Sequence, residues 1–135
     1  MSPTSSQQNG DSAATQPLVF VVDDEPMLLE LASMILQPAG YRVRTFRDPT
    51  SAVREYSLAN PLPVLVITDF AMHHMNGLEL IRDCRRINPT QKVLLVSGTV
   101  DAEVYQESPH KPDAFLAKPY QTQELVDAVK TLLAK

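Results

Sequence analysis

Residues 18–26 read LVFVVDDEP, five apolar and mostly β-branched residues that end abruptly in two adjacent carboxylates, a third acid and a proline. A run that is apolar at every position, rather than at every second one, suits a strand covered on both faces, and such strands belong to parallel sheets flanked by helices. The pattern recurs at 64–69 (VLVITD) and 92–97 (KVLLVS), and more weakly at 41–46 and 114–117. Five strands therefore need four crossovers, each expected to be helical and right-handed.

The intervening segments supply the helices. Leu28, Leu31 and Ile35 share a face of a first helix that stops at Gly40. Asp48 and Pro49 form an N-cap and first-turn pair, after which Ala52, Val53 and Tyr56 face one way. Asn76 with Glu79 three residues on reads as a capping box opening a helix whose Leu80, Ile81 and Cys84 point inward. A last helix near 122–133 carries a core stripe of Leu125, Val126, Val129, Leu132 and Leu133.

At 135 residues and 44% hydrophobic, the chain supports one core and not two. Residues 1–16 are rich in Ser, Thr, Gln and Asn and offer almost nothing to bury, so a disordered tail is expected before a single domain at 17–135. A net charge of −4 gives no positive surplus to meet phosphates, so protein partners are expected rather than direct contact with nucleic acid. No cation precedes Arg42 and no apolar run approaches the ~18 residues of a membrane span, so membrane insertion is not expected and a cytoplasmic location is. The one cysteine, Cys84, lies on the apolar helix face and reads as packing.

In open α/β sheets the groups at the carboxyl ends of the strands converge on a crevice outside the sheet. Here strand one ends in Asp23-Asp24, strand three in Asp69, strand four in Ser97 and strand five in Lys118-Pro119. Carboxylates brought to ~4 Å repel by roughly 4 kcal/mol per pair at an effective dielectric of about 20, so cations must hold them together. An all-oxygen site with few protein ligands suits Mg²⁺, which bridges carboxylate and phosphate oxygens. Lys118 adds a further positive charge. Such a site can stabilise a transferring phosphoryl group while one carboxylate attacks it, with the Ser97 hydroxyl donating to a phosphoryl oxygen.

The four segments VVDDEP (21–26), TDFAMHHMNG (68–77), LLVSG (94–98) and FLAKPY (115–120) resemble, in order and spacing, the signature segments of response-regulator receivers of two-component signalling. The resemblance implies a flavodoxin-like, doubly wound, five-stranded parallel sheet of order 2-1-3-4-5 with five helices. It implies that Asp69 is the phosphoacceptor and that Asp23, Asp24, Asp69 and the Ala71 backbone carbonyl hold Mg²⁺. It implies that Ser97 and Lys118 bind the phosphoryl group, that Ser97 and Phe115 act as the switch pair, and that Lys118-Pro119 is cis. The implied partners are a histidine kinase or histidine phosphotransfer protein and a downstream protein. The latter would be read by the face of the fourth helix, strand five and the final helix, with a phosphorylation-linked dimer as a further form. The chain would be a switch, not an enzyme.

Several residues depart from the pattern. His73 stands where the family usually has proline after Met72, and Ala71 and Thr99 stand where it tunes dephosphorylation. His73 and His74, adjacent on a loop, are poorly placed to share one ion and read as solvent-exposed. Pro109 and Pro112 should end the fourth helix by Ser108, leaving it short or irregular, followed by an extended loop at 108–113. A haloacid-dehalogenase-type phosphatase would place its second aspartate two residues after the first, not adjacent, and a flavodoxin would need a Ser/Thr/Gly-rich loop where this chain has DDEP. With the last helix closing at the chain end, the expected output is a free-standing regulator, with a phosphorelay intermediate, a phosphate sink or the receiver part of a longer protein as alternatives.

Overall fold

The computed structural model describes residues 16–98 and 108–135. Its elements are β1 (Leu18–Val22), α1 (Pro26–Leu36), β2 (Arg42–Phe46), α2 (Pro49–Leu58), β3 (Leu65–Asp69), α3 (Gly77–Ile87), β4 (Val93–Ser97), β5 (Ala114–Ala117) and α4 (Thr122–Leu133). The strands form one parallel sheet in the order β2-β1-β3-β4-β5, as expected. Four helices are present among the described residues. The expected short helix at 101–107, Thr99 and the tail before Gln16 lie outside them.

The three central strands are buried at all five positions, which is why they are apolar up to the polar residues at their carboxyl ends, Thr68 and Asp69 in β3 and Ser97 in β4. The edge strands β2 and β5 are only partly covered. Alternation sorts the central side chains into two cores. Val19, Val21, Leu65, Ile67, Leu94 and Val96 pack with α1 and α4. Phe20, Val22, Val66 and Val93 pack with α2 and α3. In the second core Tyr56 is fully buried, edge-on to Phe20, and its hydroxyl donates to Gln91 Oε1 at 2.6 Å.

The expected caps are present. Asp48 accepts from Thr50 N, and Asn76 and Glu79 exchange hydrogen bonds at 2.9 and 2.8 Å. Cys84 is buried and free, and burial pushes its thiol up to about 12. One helix face needs correction. In α1 the buried residues are Leu29, Ala32, Ile35 and Leu36, whereas Leu31 is exposed and Leu28 half-buried. The helix also ends at Leu36, and the chain turns through Gly40 at φ 104°. With apolar residues on nearly every side of α1, the face set on the sheet is the one whose small Ala32 permits close approach.

The segment leading into β5 is non-helical, as the prolines require, but it is tied down. The Arg85 guanidinium donates to the Lys111 carbonyl and to Asp113 Oδ2, and Asp113 Oδ2 also accepts from Val93 N at 2.7 Å. A polar fork from α3 thus holds a loop that has few apolar anchors.

Candidate functional site

The carboxyl ends of β1, β3 and β5 bring Asp23, Asp24, Asp69 and Lys118 together. One carboxylate oxygen from each aspartate lies within 4.8 Å of those of the other two. Asp23 and Asp69 are buried, and Asp24 is partly open. Lys118 Nζ reaches Asp23 Oδ2 at 2.9 Å and Asp69 Oδ1 at 3.3 Å, spanning 95 residues of sequence in the first case. Backbone donors fix the two buried acids: Glu25 N donates to Asp23 Oδ1 and Phe70 N to Asp69 Oδ1, both at 2.9 Å.

Burial and the neighbouring Asp23 charge raise the Asp69 carboxyl above the usual range, against the pull of Lys118. Burial alone would lower the Lys118 ammonium, but its contacts with Asp23 and Asp69 prevail and raise it. Carboxylates 4.8 Å apart repel by about 3.5 kcal/mol at an effective dielectric near 20. Three carboxylates against one ammonium leave two negative charges, which one divalent ion would balance. The donors are all oxygens, so the residues present fit Mg²⁺.

Ser97, at the end of β4, is buried, and its carbonyl accepts from Lys118 N at 3.1 Å, which joins the β4 end to the Lys118-Pro119 step. That peptide is cis. Phe115 lies two residues before Ala117, the register partner of Ser97, and is half-buried on the edge strand. Ala71 sits exposed on the loop after Asp69. On the same loop His73 is 84% exposed, yet its Nδ1 lies 3.2 Å from Asp24 Oδ2. The backbone turns at His74, whose φ is 75°.

Two features of the site went unread in the sequence. Gly77 passes so close beneath the acceptor that a Cβ there would lie 2.5 Å from the Asp69 carbonyl oxygen and 2.7 Å from Leu95 Cδ1. Its N–H donates to the Phe70 carbonyl at 2.8 Å, closing the loop onto the site. Tyr120 packs partly buried against the first core beyond Pro119, and burial raises its phenol.

The chain as a whole has counterparts among known proteins. The response regulator receiver domain family matches residues 19–130. The chain belongs to the response-regulator receiver family. The probable transcriptional regulatory protein TcrX of Mycobacterium tuberculosis is 32% identical over 123 residues, which are 89% of this receiver and 51% of that protein. The response regulator receiver protein CpdR of Brucella abortus is 28% identical over 117 residues, 85% of this receiver and 95% of that protein. The chemotaxis protein CheY4 of Vibrio cholerae superposes with a TM-score of 0.81 at 25% identity, over 87% of this receiver and 99% of that chain. The receiver spans about half the length of the first curated relatives it matches. As a member of this family it serves two-component signalling, in which phosphorylation and Mg²⁺ binding are general. Among the described residues no helix is long and apolar enough to cross a membrane.

Proposed function

We propose that this receiver is a phosphorylation switch in which Asp69 takes the phosphoryl group from a histidine kinase or histidine phosphotransfer protein. The observation that carries the reading is the convergence of three carboxylates and one lysine at the carboxyl edge of the sheet. The described contacts of Asp69 with Phe70 N and Lys118 fall on Oδ1, so Oδ2 is the attacking oxygen. As the Oδ2–P bond forms, the bond from phosphorus to the donor imidazole nitrogen breaks, and the electron pair leaves with that nitrogen. Lys118, already beside Asp69, meets the charge on the transferring oxygens, and the Ser97 hydroxyl donates to one of them. Asp23, Asp24, Asp69 and the Ala71 carbonyl would hold Mg²⁺, which supplies charge neutralisation between carboxylate and phosphoryl oxygens.

The response then runs through the β4 and β5 ends. Movement of Ser97 and Lys118 toward the phosphoryl group shifts Phe115 and the face of β5 and α4, which a downstream protein reads. Residues 17–135 act as one domain whose output is protein–protein, and the chain is a switch rather than an enzyme. The test is a phosphotransfer profile against radiolabelled kinases and phosphotransfer proteins of the host. Rapid, Mg²⁺-dependent labelling from one of them, lost in Asp69→Ala, supports the reading. Labelling that survives the substitution removes it.

A further inference from the structure

Strand β5 brings Lys118 to the acceptor, yet little in its own packing fixes where along β4 it lies. It is four residues long, lies at the edge of the sheet with β4 on one side only, and has no fully buried residue. Ala114 and Leu116 pack against the first core, and both are only partly covered. A strand advances about 3.3 Å per residue, so a slip of one position would carry Lys118 as far as its contacts are long. Those contacts are 2.9 Å to Asp23 and 3.3 Å to Asp69.

Polar bonds at the two ends of β5 set the register instead. Just past its exit, Lys118 N donates to the Ser97 carbonyl at 3.1 Å. At its entry Asp113 N donates to the Val93 carbonyl at 2.9 Å, and Asp113 Oδ2 accepts from Val93 N at 2.7 Å, so one residue of β4 is held through both its backbone groups. Arg85 Nη2 aims that carboxylate from 2.9 Å, while Nη1 donates to the Lys111 carbonyl and Nε to the Gln91 carbonyl at 3.1 Å. Gln91 is itself buried and accepts from the Tyr56 hydroxyl. An exposed ion pair would contribute little, but the Arg85 side chain is only 23% exposed and bonds two backbone carbonyls besides the acid. Three acceptors in different directions need the flat fork of a guanidinium, which the point charge of a lysine does not replace. The helix that carries Arg85 in its last turn starts at the acceptor: Gly77 N donates to the Phe70 carbonyl, and a Cβ on Gly77 would lie 2.5 Å from the Asp69 carbonyl oxygen. α3 thus runs from the acceptor to the entry of β5, and β5 returns from there to the acceptor with Lys118.

We propose that Arg85 is a positioning residue for phosphoryl transfer: through Asp113 it sets the register of β5 on β4, and so the reach of Lys118 into the acidic crevice. The proposal rests on the reading of Asp69 as the acceptor and Lys118 as its cationic partner. Arg85 touches no reacting atom, and its effect on the reaction passes through Lys118.

The test is a double-substitution cycle on the full chain, with acetyl phosphate and Mg²⁺ as the probe and the initial rate of phosphoryl gain read by intact mass. Arg85→Ala is expected to slow the wild type about 5- to 10-fold but Lys118→Ala by less than about twofold, because without the ammonium there is nothing left to position. Arg85→Lys keeps the charge and loses the fork, so it should slow the wild type as well. Asp113→Asn keeps the side chain's size and weakens its pair with Arg85. It should show the same dependence on Lys118, and it carries the test where Arg85→Ala does not fold. Circular dichroism establishes that each variant compared is folded at the assay temperature. Equal slowing of the wild type and of Lys118→Ala would make Arg85 a general structural contact and overturn the proposal, as would a wild-type rate in Arg85→Ala. A Lys118→Ala protein that labels as fast as wild type would instead bring down the reading of the crevice, and the proposal with it.

Discussion

Replacing Gly77 with alanine should damage both the fold and the acceptor. The added Cβ would meet the Asp69 carbonyl oxygen at 2.5 Å, Leu95 Cδ1 at 2.7 Å and Phe70 Cα at 3.2 Å. Leu95 is fully buried and the other two contacts are backbone, so no flexible end can swing away. Over-packing of this kind costs about 1–3 kcal/mol, and the backbone contacts put the substitution toward the upper end. Alanine's lower unfolded-state entropy returns roughly 0.4–1 kcal/mol. The net loss of about 2 kcal/mol should lower Tm by roughly 10 °C, with a slower gain of phosphate because the Asp69 backbone must shift. Gly98→Ala is the matched control, since its Cβ would meet Lys118 only at 3.7 Å, and it should melt within a few degrees of wild type. Thermal unfolding by circular dichroism reads both. A Gly77→Ala protein as stable as Gly98→Ala would refute the close approach of α3 to the acceptor.

Three further outcomes are expected. Asp69 is raised by burial and by Asp23, so its folded form disfavours ionisation and the protein loses stability as pH rises through the shifted value. Asp69→Asn should therefore melt higher than wild type at pH 7, and the gain should vanish below the ordinary carboxylate range; a lower Tm at pH 7 would contradict the repulsive cluster. Lys118→Ala should still accept phosphate, more slowly, yet leave the aromatic NMR shifts of Phe115 unmoved on phosphorylation, and wild-type shifts in that variant would break the proposed link. Cys84, buried with its thiol pushed up to about 12, should resist alkylation at pH 8 in the folded protein and react only on unfolding, whereas rapid alkylation of the native state would place it at the surface.

Much of the fold was legible because its strongest constraints are local. The runs leading to Asp23, to Thr68-Asp69 and to Ser97 are apolar because helices cover both faces of those strands, and each expected strand lies within a residue of the observed one. The site followed from the strand ends, since a parallel sheet brings Asp23 and Lys118 together despite 95 intervening residues. The α1 face was not legible. Leu28, Leu31 and Ile35 satisfy helical period as well as Leu29, Ala32 and Ile35 do, and only the sheet chooses between them. The Arg85 fork to Lys111 and Asp113 was equally hidden, because it depends on where α3 ends relative to the entry of β5. Gly77 is the first residue of α3, directly after the Asn76 cap. Its approach to the Asp69 carbonyl is a property of the loop's path, which no periodicity encodes.

The central claim is that Asp69 is the phosphoacceptor, and intact mass after incubation with acetyl phosphate and Mg²⁺ tests it most directly. A small donor suffices because the site needs only charge neutralisation and in-line approach. Wild type should gain the mass of one phosphoryl group, lose it on treatment with hydroxylamine, and gain none when Mg²⁺ is chelated. Asp69→Ala should gain none under any condition. Incorporation by Asp69→Ala equal to wild type would contradict the account.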